Sequence, residues 1–147
     1  MEFLFDILIV QDNNDDSHLA EMLLRRTGIG GNFIRVDNKQ DFIRQIHNKK
    51  YDVIIADNKF PHFGWMEVQS ICRSEYINTP VILITDTLPE NEEEKMHQSN
   101  LAAIVLKEEL KFLPQVVMNI VLHYKLWSDA RGVKQDVMSG VPSLSIV

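Results

Sequence analysis

Asp57 closes the apolar run Tyr51-Asp52-Val53-Ile54-Ile55-Ala56 and stands just before a polar turn, Asn58-Lys59-Phe60-Pro61-His62-Phe63-Gly64. Other apolar runs also stop on reactive groups. Phe5-Asp6-Ile7-Leu8-Ile9-Val10 gives way to Gln11-Asp12-Asn13, Pro80-Val81-Ile82-Leu83-Ile84 to Thr85-Asp86, and Leu101-Ala102-Ala103-Ile104-Val105-Leu106 to Lys107. A carboxylate pair, a hydroxyl and an ammonium brought together suit phosphate chemistry. Asp12 and Asp57, with a main-chain carbonyl and waters, make an oxygen-only site for Mg²⁺, which keeps several waters and takes a phosphoryl oxygen as a further ligand. Phosphoryl transfer asks a protein mainly for positioning and charge neutralisation. A metal ion and the Lys107 ammonium supply both, and the Thr85 hydroxyl can donate to a phosphoryl oxygen.

Residues so distant in sequence meet only if the apolar runs are parallel strands of one sheet, whose carboxyl ends share an edge. The segments between the runs carry a helical period, so the chain alternates strand and helix. The expected fold is α/β, a doubly wound five-stranded parallel sheet with helices on both faces. The spacing predicts a first helix with Leu19, Met22 and Leu23 as its buried stripe, stopping at Gly28, then a turn at Gly30-Gly31 and a second strand over 32–36. Asn38 is expected to cap a helix whose inner face is Phe42, Ile43 and Ile46. Trp65, Val68 and Cys72 form the stripe of the next helix. Residues 89–99, with an acidic run from Glu90 to Glu94, have few apolar positions, so a helix there is held weakly. The last helix, roughly residues 111–131, repeats Leu113, Val116, Val117, Ile120, Val121, Tyr124 and Trp127 at helical spacing, and its final turns outrun the core. Gly132 to Val147 mixes Gly, Pro and Ser with isolated apolar residues and reads as a C-terminal linker or disordered tail. Residues 1–131 are then the single domain.

A chain of 147 residues with a net charge of −6 is large enough for its own core and lacks the clustered Lys and Arg that grip nucleic acid. No apolar stretch approaches the ~20 residues that cross a bilayer, and the N-terminus carries no basic leader. No nucleic-acid or membrane partner is expected, and the location expected is cytoplasmic. The single cysteine, Cys72, reads as a small buried hydrophobe, and the five histidines have no metal-ligand spacing. No glycine-rich phosphate loop occurs. An aspartate after a strand is most often only a turn cap; Asp57 gains weight from the company of Asp12, Thr85 and Lys107.

In order and identity these residues resemble the receiver domain of two-component response regulators, over about residues 5–125. The family pattern is an acidic pair after strand one, an aspartate ending strand three, Ser or Thr ending strand four and lysine ending strand five. Gln11-Asp12, Asp57, Thr85 and Lys107 occupy those places here, and Pro61 matches the proline of the turn. The resemblance implies a flavodoxin-like, receiver-type sheet. It implies that Asp57 takes a phosphoryl group from the phosphohistidine of a histidine kinase or histidine phosphotransfer protein. Mg²⁺ would be held by Asp12, Asp57 and the Lys59 main-chain carbonyl, with Gln11 reaching it through water. Lys107 would pair with Asp57 and then with the phosphoryl group, and Thr85 would bond a phosphoryl oxygen on its arrival. Such a domain is a signalling module, and no general base marks it as an enzyme for an outside substrate.

The sequence departs from the pattern in ways that bear on chemistry. Gln11 replaces the first acid, Trp65 stands where a glycine usually follows the turn, Asp86 follows Thr85 where a small residue is common, Glu108 follows Lys107 in place of proline, and Ile104 replaces an aromatic residue on strand five. These changes admit an alternative, a degenerate pseudo-receiver that binds a protein partner without phosphorylation. The long last helix, with Tyr124 and Trp127 beyond the expected core, suits a homodimer or an adjoining sensor or output domain.

Overall fold

Each apolar run becomes a strand, and the two-residue alternation of its side chains builds a core on both faces of one sheet. The computed structural model describes residues 3–11, 14–57, 63–87, 101–131 and 145–146. In chain order they form β1 (Phe3–Val10), α1 (Asn14–Arg26), β2 (Ile29–Val36), α2 (Lys39–Asn48), β3 (Val53–Asp57), α3 (Trp65–Ser74), β4 (Val81–Thr85), β5 (Leu101–Leu106), a 3₁₀ turn (Lys107–Phe112), α4 (Leu113–Arg131) and β6 (Ser145–Ile146). The strand order is β2-β1-β3-β4-β5-β6, and every neighbouring pair is parallel. The chain reverses its direction of travel across the sheet between β1 and β3, the kind of switch point at which open α/β sheets form a crevice.

Successive residues of a strand face opposite sides. Leu8 and Val10 of β1 pack with Phe42 and Ile46 of α2 and with Trp65, Val68 and Cys72 of α3. Ile7 and Ile9 pack on the other side with Ala20 and Leu24 of α1 and with Val117 and Val121 of α4. Cover on both faces accounts for β3 and β4, in which every residue is buried. Asn38 caps α2 as expected, its side chain accepting from the Asp41 N–H at 2.8 Å. Among the described residues no helix is long and apolar enough to cross a membrane.

Several local expectations need correction. Gly30 and Gly31 are not a turn but lie inside β2, opposite Leu4 and Phe5 of β1. The chain turns earlier, at Gly28, which takes a φ of +92°. Gly31 has a φ of +111°, and a Cβ there would sit 2.1 Å from the Phe5 carbonyl oxygen. Two backbones approach so closely only where one has no side chain. We expect Gly31→Ala to cost about 3 kcal/mol, from backbone strain and overpacking together; the urea midpoint of the variant measures it. In α1 the buried residues are Ala20 and Leu24, while Leu19 and Met22 are exposed and Leu23 is half-buried. The helix lies against the sheet with its smallest side chain inward, which turns the predicted stripe toward solvent. The last helix opens with the 3₁₀ turn, and its α-helical part begins at Leu113.

Of residues 132–147, read from the sequence as linker or disordered tail, only Ser145 and Ile146 are among the described residues. Ser145 and Ile146 pair in parallel with Ala103 and Ile104, adding a sixth strand beside β5. Without that pairing β5 would present a row of free N–H and C=O groups at the sheet edge. Asp12, Lys59, Pro61, His62, the expected helix over 89–99 with its run from Glu90 to Glu94, and the Trp127 side chain lie outside the described residues.

Candidate functional site

Strand register decides which of the expected residues become neighbours. Val10 stands opposite Ala56, so Gln11 follows β1 beside the end of β3, where Asp57 stands. Asp57 stands opposite Ile84 and Thr85 opposite Leu106. The carboxyl ends of β1, β3, β4 and β5 therefore present Gln11, Asp57, Thr85 and Lys107 along one edge.

Asp57 is almost fully buried, at 5% exposure. A buried carboxylate needs compensating donors, and two converge on a single oxygen. Lys107 Nζ lies 3.3 Å from Asp57 Oδ2. Gln11 Nε2 donates to the same oxygen at 3.1 Å. Lys107 begins the 3₁₀ turn, and its side chain keeps 28% exposure, so the ammonium closes the site from the solvent side. Gln11 is itself buried and is fixed through its backbone: its N–H donates to the Val36 carbonyl at 3.0 Å, and its carbonyl accepts from Arg35 Nη1 at 2.8 Å.

Thr85 is buried at the end of β4, and its hydroxyl donates to the Thr87 carbonyl at 2.8 Å. The side chain is thus engaged with the segment that follows the strand. Trp65 is buried among Phe63, Val68 and other residues of the core covered by α2 and α3, which settles its role as packing. Asp86 is exposed.

The structure brings Asp57, Lys107 and Gln11 together and sets Thr85 at the adjoining strand end. Asp12 and Lys59 lie outside the described residues. Sequence reasoning places Gln11 at a metal-bound water, whereas here its amide touches Asp57 directly. The signal available was its type: an amide in place of an acid is a donor, and the nearest carboxylate is Asp57. Arg35, which holds the Gln11 backbone, carried no signal in the sequence.

Among the described residues no three His, Cys, Asp or Glu side chains cluster as a metal site. The described donors at the edge are the Asp57 carboxylate and the Gln11 amide. With Asp12 they would form an oxygen-only set, which fits Mg²⁺ holding several of its waters.

The family model described as response regulator receiver domain matches residues 7–116. No curated protein matches the chain. Among solved structures it is similar to the receiver domain of the Francisella response regulator 1452, with 19% identity and a TM-score of 0.70 over 82% of this chain and 98% of that one. It is similar to a DNA-binding response regulator of the LuxR family from Staphylococcus aureus, with 24% identity and a TM-score of 0.68 over 80% of this chain and 99% of that one. A third similar structure is the receiver domain of a sensor histidine kinase from Pseudomonas aeruginosa, with magnesium coordinated in its active site cleft; the identity is 20% and the TM-score 0.67, over 80% of this chain and 98% of that one. At these identities the neighbours speak for the fold, and the family model, spanning most of the chain and every strand end discussed above, speaks for descent: the chain belongs to the response regulator receiver domains of two-component signalling.

Proposed function

We propose that the chain is a phosphoacceptor module that takes a phosphoryl group from a phosphohistidine onto Asp57. The observation that carries the proposal is the buried Asp57 carboxylate with the Lys107 ammonium 3.3 Å from it. In the reaction a carboxylate oxygen of Asp57 attacks phosphorus, the bond from phosphorus to the donor's imidazole nitrogen breaks, and an acyl phosphate forms. The donor is a histidine kinase or a histidine phosphotransfer protein. Asp12, Asp57 and the Lys59 carbonyl would hold Mg²⁺, which when bound neutralises phosphoryl oxygens as charge redistributes. Lys107 neutralises charge on the equatorial oxygens and afterwards pairs with the phosphoryl group.

Thr85 then exchanges acceptors. Its hydroxyl leaves the Thr87 carbonyl and donates to a phosphoryl oxygen, which frees the segment after β4 to take another course. An added charge of about −1.5 to −2 supplies the differential contact that a two-state switch needs. The switched surface serves a protein partner, and α4 joins the module to a second copy or to an adjoining sensor or output domain. We assign the module to residues 1–131, with the remainder as a linker that touches the sheet at β5.

The test is intact mass after incubation with acetyl phosphate and Mg²⁺. The chain is expected to gain one phosphoryl group and Asp57→Asn none. One observation favours a second reading, a pseudo-receiver acting without phosphate: the Gln11 amide occupies Asp57 where the family usually has an acid. No mass gain, where a control receiver reacts, would select that reading, and Asp57→Ala would then leave partner binding unchanged.

A further inference from the structure

The edge of the sheet opposite Asp57 carries a second concavity. The loops that enter β3 and β4 border a half-open cleft of about 420 Å³. Its floor is apolar, formed by the buried Ile46, Tyr51 and Ile54. Its rim holds His47, Lys49 and Lys50 on one side and Tyr76 and Asn78 on the other. No carboxylate is among its described lining residues, although the chain has 21 Asp and Glu and a net charge of −6.

Two of the basic side chains on the rim have acidic neighbours outside the cleft. His47 lies 3.2 Å from Glu75, and Lys49 lies 3.0 Å from Asp6 and over the Tyr51 ring. Lys50 is exposed and has no ion-pair partner among the described residues. Tyr76 is the unusual element. Its φ of +56° is the single positive value at a non-glycine position among the described residues, and the residue is 91% exposed. Tyr76 stands just past α3, where the Ile77 N–H donates to the Cys72 carbonyl at 2.8 Å and closes the helix, so its positive φ is that of an ordinary helix C-terminus, a place glycine fills most easily. A tyrosine there sets an aromatic ring in water at the rim of the cleft, and a body laid across the cleft would pack against it.

We infer that this cleft docks an acidic segment of a partner protein, a carboxylate meeting Lys50 while the adjacent apolar side chain lies on the floor beside Tyr76. Charge selects the sign: Lys50 is the rim's one lysine without an ion-pair partner among the described residues, and the carboxylates nearby, Glu75 and Asp6, are already paired with His47 and Lys49. Shape selects a polypeptide. Small ligands are held where 70–90% of their surface is buried, and a half-open cleft with a rim residue as exposed as Tyr76 encloses far less. A chain passing between the two loops needs no such enclosure. Nucleic acid would call for a track of clustered cations, and this rim offers one lysine beyond those already paired. The cleft lies away from the strand ends that carry Asp57, so occupancy does not require a particular state of that residue.

The test titrates the ¹⁵N-labelled full chain with acetyl-Glu-Glu-Phe-Glu-amide, with the lysine-for-glutamate peptide and with 3-phenylpropionate, following amide shifts. The acidic peptide is expected to give saturable shifts concentrated at residues 47–51 and 76–79, and Lys50→Glu is expected to weaken it by about tenfold or more. Tyr76→Gly is expected to lose binding while its urea midpoint holds or rises, since glycine takes the positive φ without strain. Absent shifts, shifts centred on Asp57, Thr85 and Lys107, equal binding of the basic peptide, or undiminished binding by Tyr76→Gly would each overturn the inference. If 3-phenylpropionate matched the acidic peptide's affinity, the occupant would be a small carboxylate and the peptide assignment would fall.

Discussion

Replacing Lys107 by alanine is expected to slow the modification of Asp57 by acetyl phosphate about a hundredfold. The ammonium stands 3.3 Å from Asp57 Oδ2, on the solvent side of a nearly buried carboxylate. A phosphoryl donor must bring negative charge to that carboxylate, and phosphoryl transfer offers a protein little to do beyond orienting the groups and neutralising charge. Preorganised charge in a low-dielectric site is worth more than the same charge in water. Gln11 donates to the same oxygen but is neutral, so it cannot take over the role. Rates of mass gain at fixed Mg²⁺ measure the effect. Lys107→Arg, which keeps the charge and changes the reach, should recover part of the loss. A Lys107→Ala rate equal to that of the parent would remove Lys107 from the mechanism and leave Asp57 to be judged alone.

Gln11→Glu is expected to act in opposite directions with and without metal. In its absence the substitution replaces a hydrogen bond to a buried carboxylate with a second negative charge at the same place. A hydrogen bond to a charged group contributes about 1.5–3 kcal/mol, so the melting temperature should fall by roughly 4–8 °C for a chain of this size. With millimolar Mg²⁺ the added carboxylate becomes a ligand, and Mg²⁺ affinity should rise by about tenfold or more. The loss of melting temperature is then regained, because a ligand that binds only the folded state stabilises it. Gln11→Ala separates the two effects: it loses the hydrogen bond and supplies no carboxylate, so its melting temperature should fall below that of the parent by the same amount with and without Mg²⁺. A Gln11→Glu melting curve indifferent to Mg²⁺ would mean that no metal sits at this edge.

The elements that carry the site were legible because they depend on local pattern. Runs such as Val53 to Ala56 and Val81 to Ile84 are apolar throughout, which only a strand buried on both faces tolerates. Asn38 and the stripe of Phe42 and Ile46 mark a helix through capping and period alone. Local pattern also misled. Gly30-Gly31 has the composition of a turn, yet Gly31 is demanded by the backbone of Phe5, a residue 26 positions earlier in the chain. The face of α1 was misjudged for a related reason. Leu19, Met22 and Leu23 are one apolar set at helical spacing and Ala20 with Leu24 another, and period alone does not say which of the two meets the sheet; packing turned Ala20 and Leu24 inward.

The inventory at the carboxyl edge follows from local sequence, because each of Asp57, Thr85 and Lys107 directly ends an apolar run, and strand direction then fixes where it must stand. Tertiary structure alone decided what those groups touch. The Gln11 amide reaches Asp57 through the pairing of β1 with β3, and it is aimed there with its backbone held by Val36 and Arg35 of β2. Thr85 turns its hydroxyl to the Thr87 carbonyl, in the segment that follows its own strand. The cleft below Tyr76 joins two loops more than 20 residues apart. Periodicity reports which face a residue takes within its own element; distances between side chains of different elements follow from register and packing, which are set by contacts remote in sequence.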